Sequence, residues 1–424
     1  MKMIALITFI GVYVLLLVLP KYRAFVALGA AALFLVLGIV PLGEIVGIID
    51  WNVLLMLAGT MGTVDLFIRS NMPNRLADKL VQLLPDVKAL IIVLALFAGI
   101  VSAFVDNVAT VLMLAPVGLS LAKKLNISPV SPILAIAVSS NLQGAATLVG
   151  DTTSILLGGH MGLDFMDFFV YNGRPGLFWI VQIGALVTVP VMLFLFRNEK
   201  GQLEKGGLTP VSDYLPTVML VGTVLCLILA SFIPDKPDIT NGIICMVIFI
   251  GGLIIECIKE KDTRLGADVL KNIDYITLML LAGLFMVIDG IDRVGIIADL
   301  SNIIAGLGAG NIFLTYSIIV WFSVIASAFI DNIPYTATML PVVAGVAASL
   351  GVNQTVLCFG LLVGATLGGN LTPVGASANI AAGGILRKAG YEVSTKQFMS
   401  IGVPFTLAAV ITGYVLTWLF YAGL

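Results

Sequence analysis

Ten apolar runs leave this chain few ways to fold. They lie near 3–19, 24–41, 52–69, 131–160, 176–196, 213–233, 239–258, 275–291, 355–386 and 403–422. A run of about 20 residues crosses ~30 Å of hydrocarbon, and in lipid its backbone must bond to itself, so each run is expected to be a helix. With 59% hydrophobic and 11% charged residues, the remaining segments cannot keep such a chain in water. The predicted class is an all-α polytopic membrane protein. Two runs, 131–160 and 355–386, are too long for one crossing and are interrupted by Gly and Thr, so they read as broken helices. Two further stretches, 88–121 and 311–350, carry Asp-Asn at their centres. Each is long enough to enter the bilayer and return as a re-entrant hairpin with that dipeptide at its tip.

The Asp-Asn pair belongs to a repeat. SAFVDNVATVLMLAPV begins at Ser102 and SAFIDNIPYTATMLPV at Ser327, 225 residues later. GAATLVGDTTSILLGG at Gly144 matches GNLTPVGASANIAAGG at Gly369 with the same offset. DWNVLLMLAGTMGTVD at Asp50 matches DYITLMLLAGLFMVID at Asp274. The expected organisation is a first repeat over 1–196, a polar cytoplasmic linker over 197–213, and a second repeat over 214–424. Five crossings per half is an odd number, so the second repeat is expected upside down, each half with one broken helix and one hairpin. Inverted repeats with broken helices at the midplane are a mark of secondary transporters.

Basic residues test that topology. If both hairpins return to the side they entered, 18 of the 22 lysines and arginines share one face, among them Arg23, Arg69, Lys123, Lys124, Lys200, Lys205 and Lys271. Lys2, Arg174, Lys236 and Arg293 keep the other. The positive-inside rule then makes the richer face cytoplasmic and puts both termini outside an inner, plasma-type membrane. Residues 3–19 end at Pro20-Lys21-Tyr22-Arg23 with no small-residue cleavage site after them, and are read as a retained first span.

An Asp at mid-bilayer depth is expensive unless it is paired or faces water, and irregular backbone survives there only inside protein or along a cavity. A hairpin tip meeting a broken helix supplies both conditions. Helix ends, freed carbonyls, carboxylates and hydroxyls converge there and can replace the water around Na⁺ or hold a proton. One candidate half-site is Asp106, Asn107 and Thr110 with Asn141, Thr147, Asp151, Thr152 and Thr153. Na⁺ itself is placed at Asp106, Asn107, Asn141 and Asp151. The mirror half-site is Asp331, Asn332 and Thr336 with Thr366, Asn370, Thr372, Ser377 and Asn379. Asp151 corresponds to Ala376, so the first half carries an extra carboxylate. Asp65 and Asp289 form another matched pair, read equally as a proton path or as helix-end charges. Individual Thr and Ser hydroxyls in such helices also serve simply as packing or interhelical bonds.

Other chemistries lack their residues. There is no HExxH, GxSxG or nucleotide-binding loop, and His160, the single histidine, builds no metal site and is expected at a helix end. Cys226, Cys245, Cys257 and Cys358 are scattered in apolar segments and read as core residues. No catalytic residue, nucleic-acid partner or cofactor beyond a coupling Na⁺ or H⁺ is expected. A soluble ATPase partner could associate only through the cytoplasmic loops.

The SAF(V/I)DN, GDTTS and LTPVGASANIAAGGILRKAGYEVS stretches resemble the ion transporter superfamily of arsenite permeases, the melanocyte P protein, citrate transporter-like permeases and D-type bacterial sodium/proton antiporters. The resemblance spans essentially the whole chain. Asp331–Pro341 and Leu371–Ser394 look most like the P protein and arsenite permease branch. Asp106 with Asn141, Asp151, Thr152 and Thr153 is also similar to the sodium/proton antiporter pattern. Dicarboxylate symporters of this superfamily carry Ser-Asn-Thr at the hairpin tips, where this chain has Asp106-Asn107-Val108 and Asp331-Asn332-Ile333. The resemblance implies a lipid-embedded homodimer with an elevator-like transport part. The expected function is a Na⁺- or H⁺-coupled secondary transporter of a small inorganic ion, oxyanion or carboxylate, with Na⁺/H⁺ antiport as the alternative.

Overall fold

A computed structural model describes all residues except Pro85, Leu125, Asn126, 200–206, Asp262 and Leu424. Lys200 and Lys205 lie outside the described residues. The first half contains α1 (Lys2–Val18), α2 (Arg23–Val36), α3 (Ile45–Ile48), α4 (Trp51–Arg69) and α5 (Met72–Leu83). It continues through α6 (Val87–Ser102), α7 (Asn107–Lys124), α8 (Val130–Gln143), α9 (Thr152–Met161) and α10 (Leu177–Leu195). The second half contains α11 (Leu215–Ala230), α12 (Thr240–Glu260), α13 (Thr263–Asn272), α14 (Tyr275–Arg293) and α15 (Ile296–Leu307). It ends with α16 (Ile312–Ser327), α17 (Asn332–Leu350), α18 (Thr355–Gly368), α19 (Ser377–Lys388) and α20 (Thr395–Tyr421). A small antiparallel pair, Val170–Tyr171 with Arg174–Pro175, is the only strand structure among the described residues.

Among the described residues, six helices, α4, α10, α12, α14, α17 and α20, are long and apolar enough to cross a membrane by themselves. The remaining expected crossings are either shorter apolar helices, such as α1, α2 and α11, or the broken spans. Both stretches read as hairpins fold as two helices joined at Asp-Asn: α6 with α7, and α16 with α17. Both long runs break where expected. α8 stops at Gln143, a single 3₁₀ turn Gly144–Ala146 follows, and α9 restarts at Thr152. The second run does the same through Gly369–Leu371 between α18 and α19.

The repeat is exact to the residue at its centre: α6, α7, α8 and α9 begin 225 residues before α16, α17, α18 and α19, and Pro116 inside α7 is matched by Pro341 inside α17. Individual bonds repeat as well. The Thr147 hydroxyl donates to the Ala103 carbonyl, and the Thr372 hydroxyl to the Ala328 carbonyl. These bonds clip each broken helix to the turn of its own hairpin.

The two halves interlock about a pseudo-two-fold axis. α2 packs along α14 while α4 packs along α12, so each half lends a helix to the other. Glycine permits both crossings. A side chain at Gly59 would run into the backbone of Cys245, and one at Gly283 into Ala27 and Leu28. α8 from Pro132 and α18 from Thr355 are buried at every position, predominantly apolar with a few polar side chains such as Asn141 and Thr366 near their breaks. Asn141 on α8 donates to the carbonyl of Thr366, its own repeat mate on α18, at 2.8 Å. A residue in contact with its own mate places the axis between them.

Three short helices were not expected from hydropathy, two of them polar (α5 and α13) and one, α15, apolar but only 12 residues long. α5 and α15 precede the hairpins, with α15 meeting α16 at a bend of 116°, and α13 precedes α14. The ends of the 197–213 segment are pinned to the first half. Ser131 donates to Glu199 at 2.7 Å, the Thr209 amide to Asp78 at 2.8 Å, and the Ser212 amide to the Ser70 carbonyl at 3.0 Å. The four cysteines are free. Cys245 and Cys358 are buried as expected, but Cys226 is exposed on the outer face of α11, where an apolar helix can turn any small residue to lipid. His160 sits in the last turn of α9.

Candidate functional site

Each hairpin tip presents a carboxylate because Asp is the residue that ends the turn and starts the next helix. The Oδ1 of Asp106 accepts from the amides of Val108 at 3.0 Å and Ala109 at 3.1 Å. The Oδ1 of Asp331 accepts from Ile333 at 3.1 Å. An acceptor of this kind satisfies a helix's free N–H groups and stabilises its start by about 1 kcal/mol. It also leaves the second oxygen of each carboxylate free to point elsewhere. Asp151 uses the same device at α9, accepting from the Thr152 amide at 2.8 Å and the Thr153 hydroxyl at 2.8 Å.

The side chains meet across the pseudo-axis rather than in two separate half-sites. Asn107 donates to Oδ1 of Asn141 at 3.0 Å, as the first half-site anticipates. Asn141 then reaches Oδ1 of Asn370 at 3.2 Å, and Asn370 donates back to the Val138 carbonyl at 2.8 Å. The Thr153 and Thr366 hydroxyls bond to each other at 3.0 Å. The second-half Asn332 donates to Asp151 of the first half at 3.3 Å. The two half-sites are thus joined into one woven network. The reason is geometric: the axis runs through α8 and α18, so side chains at their breaks face each other.

Other expected residues fall around this network. The Thr110 hydroxyl turns back to the Val105 carbonyl at 3.4 Å. Ser377 donates to Asp331 at 2.7 Å, and Asn379 to the Gly369 carbonyl at 3.1 Å. Asn379 Oδ1 and Thr336 Oγ1 are buried with no hydrogen-bond partner among the described residues. Thr147 and Thr372 are occupied by their clips on backbone carbonyls. Backbone oxygens crowd the breaks too. A methyl on Gly150 would lie 2.7–2.9 Å from the carbonyl oxygens of Gly144, Ala103 and Ser102. Its mate Gly375 is crowded at 2.6–2.8 Å by Ser327, Gly369 and Ala328.

A cavity of about 570 Å³ reaches the network from the C-terminal end of α4. Asp106, Asn107, Asp151, Thr152, Asn332 and Ser377 line its inner end, and Asp65 its wall. Asp65 accepts from Arg69 at 2.7 Å and from Asn272 at 2.9 Å. Its mate Asp289 accepts from Arg293 at 2.5 Å, and Arg293 also bonds Glu44. Asp289 lines a different depression, with Phe285 and Ile288, that reaches none of the tip residues. The matched pair thus differs: of the two, Asp65 lines the cavity that reaches the tips, and Asp289 does not.

Three cavity residues escaped the sequence reading. Arg23, counted among the surface charges, donates to Oδ2 of Asp331 at 3.1 Å and to Thr277 at 3.1 Å. Thr277 in turn donates to Asp274 at 2.6 Å. Asp274 opens the DYITLML motif, which marked the position without showing where it would point. Nothing local separates Arg23 from the neighbouring Lys21.

Comparison with known proteins agrees with this architecture. The chain matches the family described as citrate transporter over residues 13–364. A protein named as an uncharacterized transporter in Mycobacterium tuberculosis is 32% identical over 446 residues, covering 99% of both chains. The human P protein is 28% identical over 490 residues, covering 95% of this chain and 58% of that protein. The solved YdaH transporter of Alcanivorax borkumensis shares the fold, with a TM-score of 0.59 and 14% identity, over 95% of this chain and 98% of that one. By fold and by sequence, this chain is an integral membrane protein of the citrate transporter family, a family of transporters and not of enzymes.

Proposed function

We propose that the chain is a Na⁺- or H⁺-coupled secondary transporter that moves a small ion, an oxyanion or carboxylate of the kind its family suggests, by alternating access. The observation that carries this reading is the cavity's inner end. Asp106 and Asp151 stand there on helix N-termini, beside a network whose other members are neutral oxygens and amides. Carboxylates at that depth require a cation or a proton as companion. A carboxylate that exchanges a proton for Na⁺ links the two ions, and an anion enters such a site only with its charge offset. The mirror depression at Asp289, which repeats the Met61, Val64 and Asp65 wall as Phe285, Ile288 and Asp289 yet stops short of the tips, supports the alternating-access reading. Exchanging the roles of the two vestibules would carry the site to the other face. Elevator-type movement within a homodimer belongs to the same reading.

Na⁺/H⁺ antiport is the second reading, favoured by the excess of acid. Asp65, Asp106, Asp151 and Asp274 line the cavity against Arg23 alone. Proteoliposomes with a trapped pH dye separate the two. With Na⁺ added outside and no other solute, antiport gives prompt, ionophore-independent internal alkalinisation that Asp106→Asn removes. A permease gives no pH change under Na⁺ alone, and takes up arsenite, phosphate-like oxyanions or carboxylates under an imposed Na⁺ or H⁺ gradient. Absence of any gradient-driven uptake, together with absence of a pH change, overturns the coupled-transport reading.

Orientation is part of the proposal, with the Arg69 and Lys271 face cytoplasmic, the 197–213 segment on that side, and both termini outside. A cysteine at Lys123 is then expected to react with impermeant reagent only from the cytoplasmic face, and one at Asp299 only from outside. Labelling of both from one face would break the assignment.

A further inference from the structure

Asp106 and Asp331 are repeat mates with different companions. Both cap their helices through Oδ1, but Oδ2 of Asp331 holds Ser377 at 2.7 Å and the Arg23 guanidinium at 3.1 Å. No basic group reaches Asp106 among the described residues. The arginine has no counterpart in the other half. Gly59 packs on Cys245 and Met246, and its mate Gly283 on Ala27 and Leu28, so α2 maps onto α12 at an offset of 218. That offset carries Arg23 to Asn241, a neutral residue. Asp151, in turn, is replaced by Ala376. The first half therefore presents two carboxylates with no base, and the second presents one carboxylate already matched by a base.

The Arg23–Asp331 pair is also a tie between layers. Arg23 stands at the start of α2 and bonds Thr277 on α14, whereas Asp331 starts α17 and bonds α19. Both side chains are about one-fifth exposed, too little for water to screen them fully, and Arg23 itself lines the cavity together with Asn332 and Ser377, the neighbours of Asp331. Besides Arg23, the charged groups that line the cavity are Asp65, Asp106, Asp151 and Asp274, all acidic.

We propose that Arg23 is the resident counter-cation of Asp331: while the cavity is open on this side it occupies the place a coupling ion would take, so that only the first half-site binds Na⁺ or H⁺. This rests on the reading of the site as cation-coupled. Arg23 acts here as a positioning residue, since it works through Asp331.

The test counts cations bound by the full-length protein in detergent, as radioactive Na⁺ in sodium buffer and as titratable protons in choline buffer. Arg23→Gln is expected to bind one more monovalent cation per chain than wild type, and Arg23→Gln with Asp331→Asn to lose it again. Arg23→Lys should keep the wild-type count. Asp331→Asn alone should leave that count unchanged, and it serves where Arg23→Gln does not yield folded protein. Equal counts in wild type and Arg23→Gln, or a count that falls in Asp331→Asn alone, overturn the proposal. Failure of the underlying reading looks different: Asp106→Asn would then leave the wild-type count intact.

Discussion

Asp106→Asn is expected to abolish ion-coupled transport while leaving a folded, membrane-inserted protein. The substitution keeps the oxygen that accepts from Val108 and Ala109, so α7 keeps its cap. What disappears is a full negative charge at the end of a cavity walled largely by low-dielectric side chains. Losing one partner of such a charge interaction removes about 3 kcal/mol, or roughly 100-fold in ion affinity. The measurement is initial uptake against the concentration of the coupling ion, with protein amount fixed by immunoblot. A parallel drop in abundance would point to folding instead. Transport unchanged at every ion concentration would remove the first tip from the site.

The largest structural effect is expected at the breaks. Gly150→Ala and Gly375→Ala would each place a methyl under 3 Å from three carbonyl oxygens belonging to two different segments. Side chains can rotate away from an added methyl, but these neighbours are backbone, held by the hydroxyl clips of Thr147 and Thr372. Overpacking of a tight core typically destabilises by about 1–3 kcal/mol, and the rigidity here puts both variants at ~3 kcal/mol. Thermal unfolding in detergent is the readout. Gly222→Ala, where nothing lies within 4 Å of the added methyl, is the matched control and should unfold with the wild type. Equal unfolding temperatures for Gly150→Ala and Gly222→Ala would mean the carbonyl crowd is looser than its geometry.

Much of this architecture was legible because membrane burial writes itself locally. An Asp-Asn inside an apolar stretch has few interpretations, so the helix breaks at both Asp-Asn pairs and inside both long runs fall within a few residues of the expected places. The short helices α5, α13 and α15 escaped because they are too polar or too brief to register as spans; α5 reads MPNRLADKLVQL. The residues singled out at the tips and breaks lie near one another in the structure, but their pattern of contacts was not legible. Asp151 meets Asn332 across 181 positions, and Arg23 meets Asp331 across 308. Periodicity reports which face of a helix is buried, not which distant helix covers it. The repeat marked two mirror half-sites, and the axis through Asn141 and Thr366 brings each half's residues into the other's.

That axis has a thermodynamic consequence. If the two halves were identical, the states open to either face would be the same molecule viewed from opposite ends, with equal energies and equal populations. Every mismatch between mates is therefore a bias on the resting equilibrium: Asn141 against Thr366, Asp151 against Ala376, Arg23 against Asn241. A net difference of only ~1.4 kcal/mol holds the empty protein ten to one on one side of the membrane. In the proposed alternating-access cycle, the symmetric scaffold would make reversal possible, and a few unmatched side chains would decide where the cycle waits.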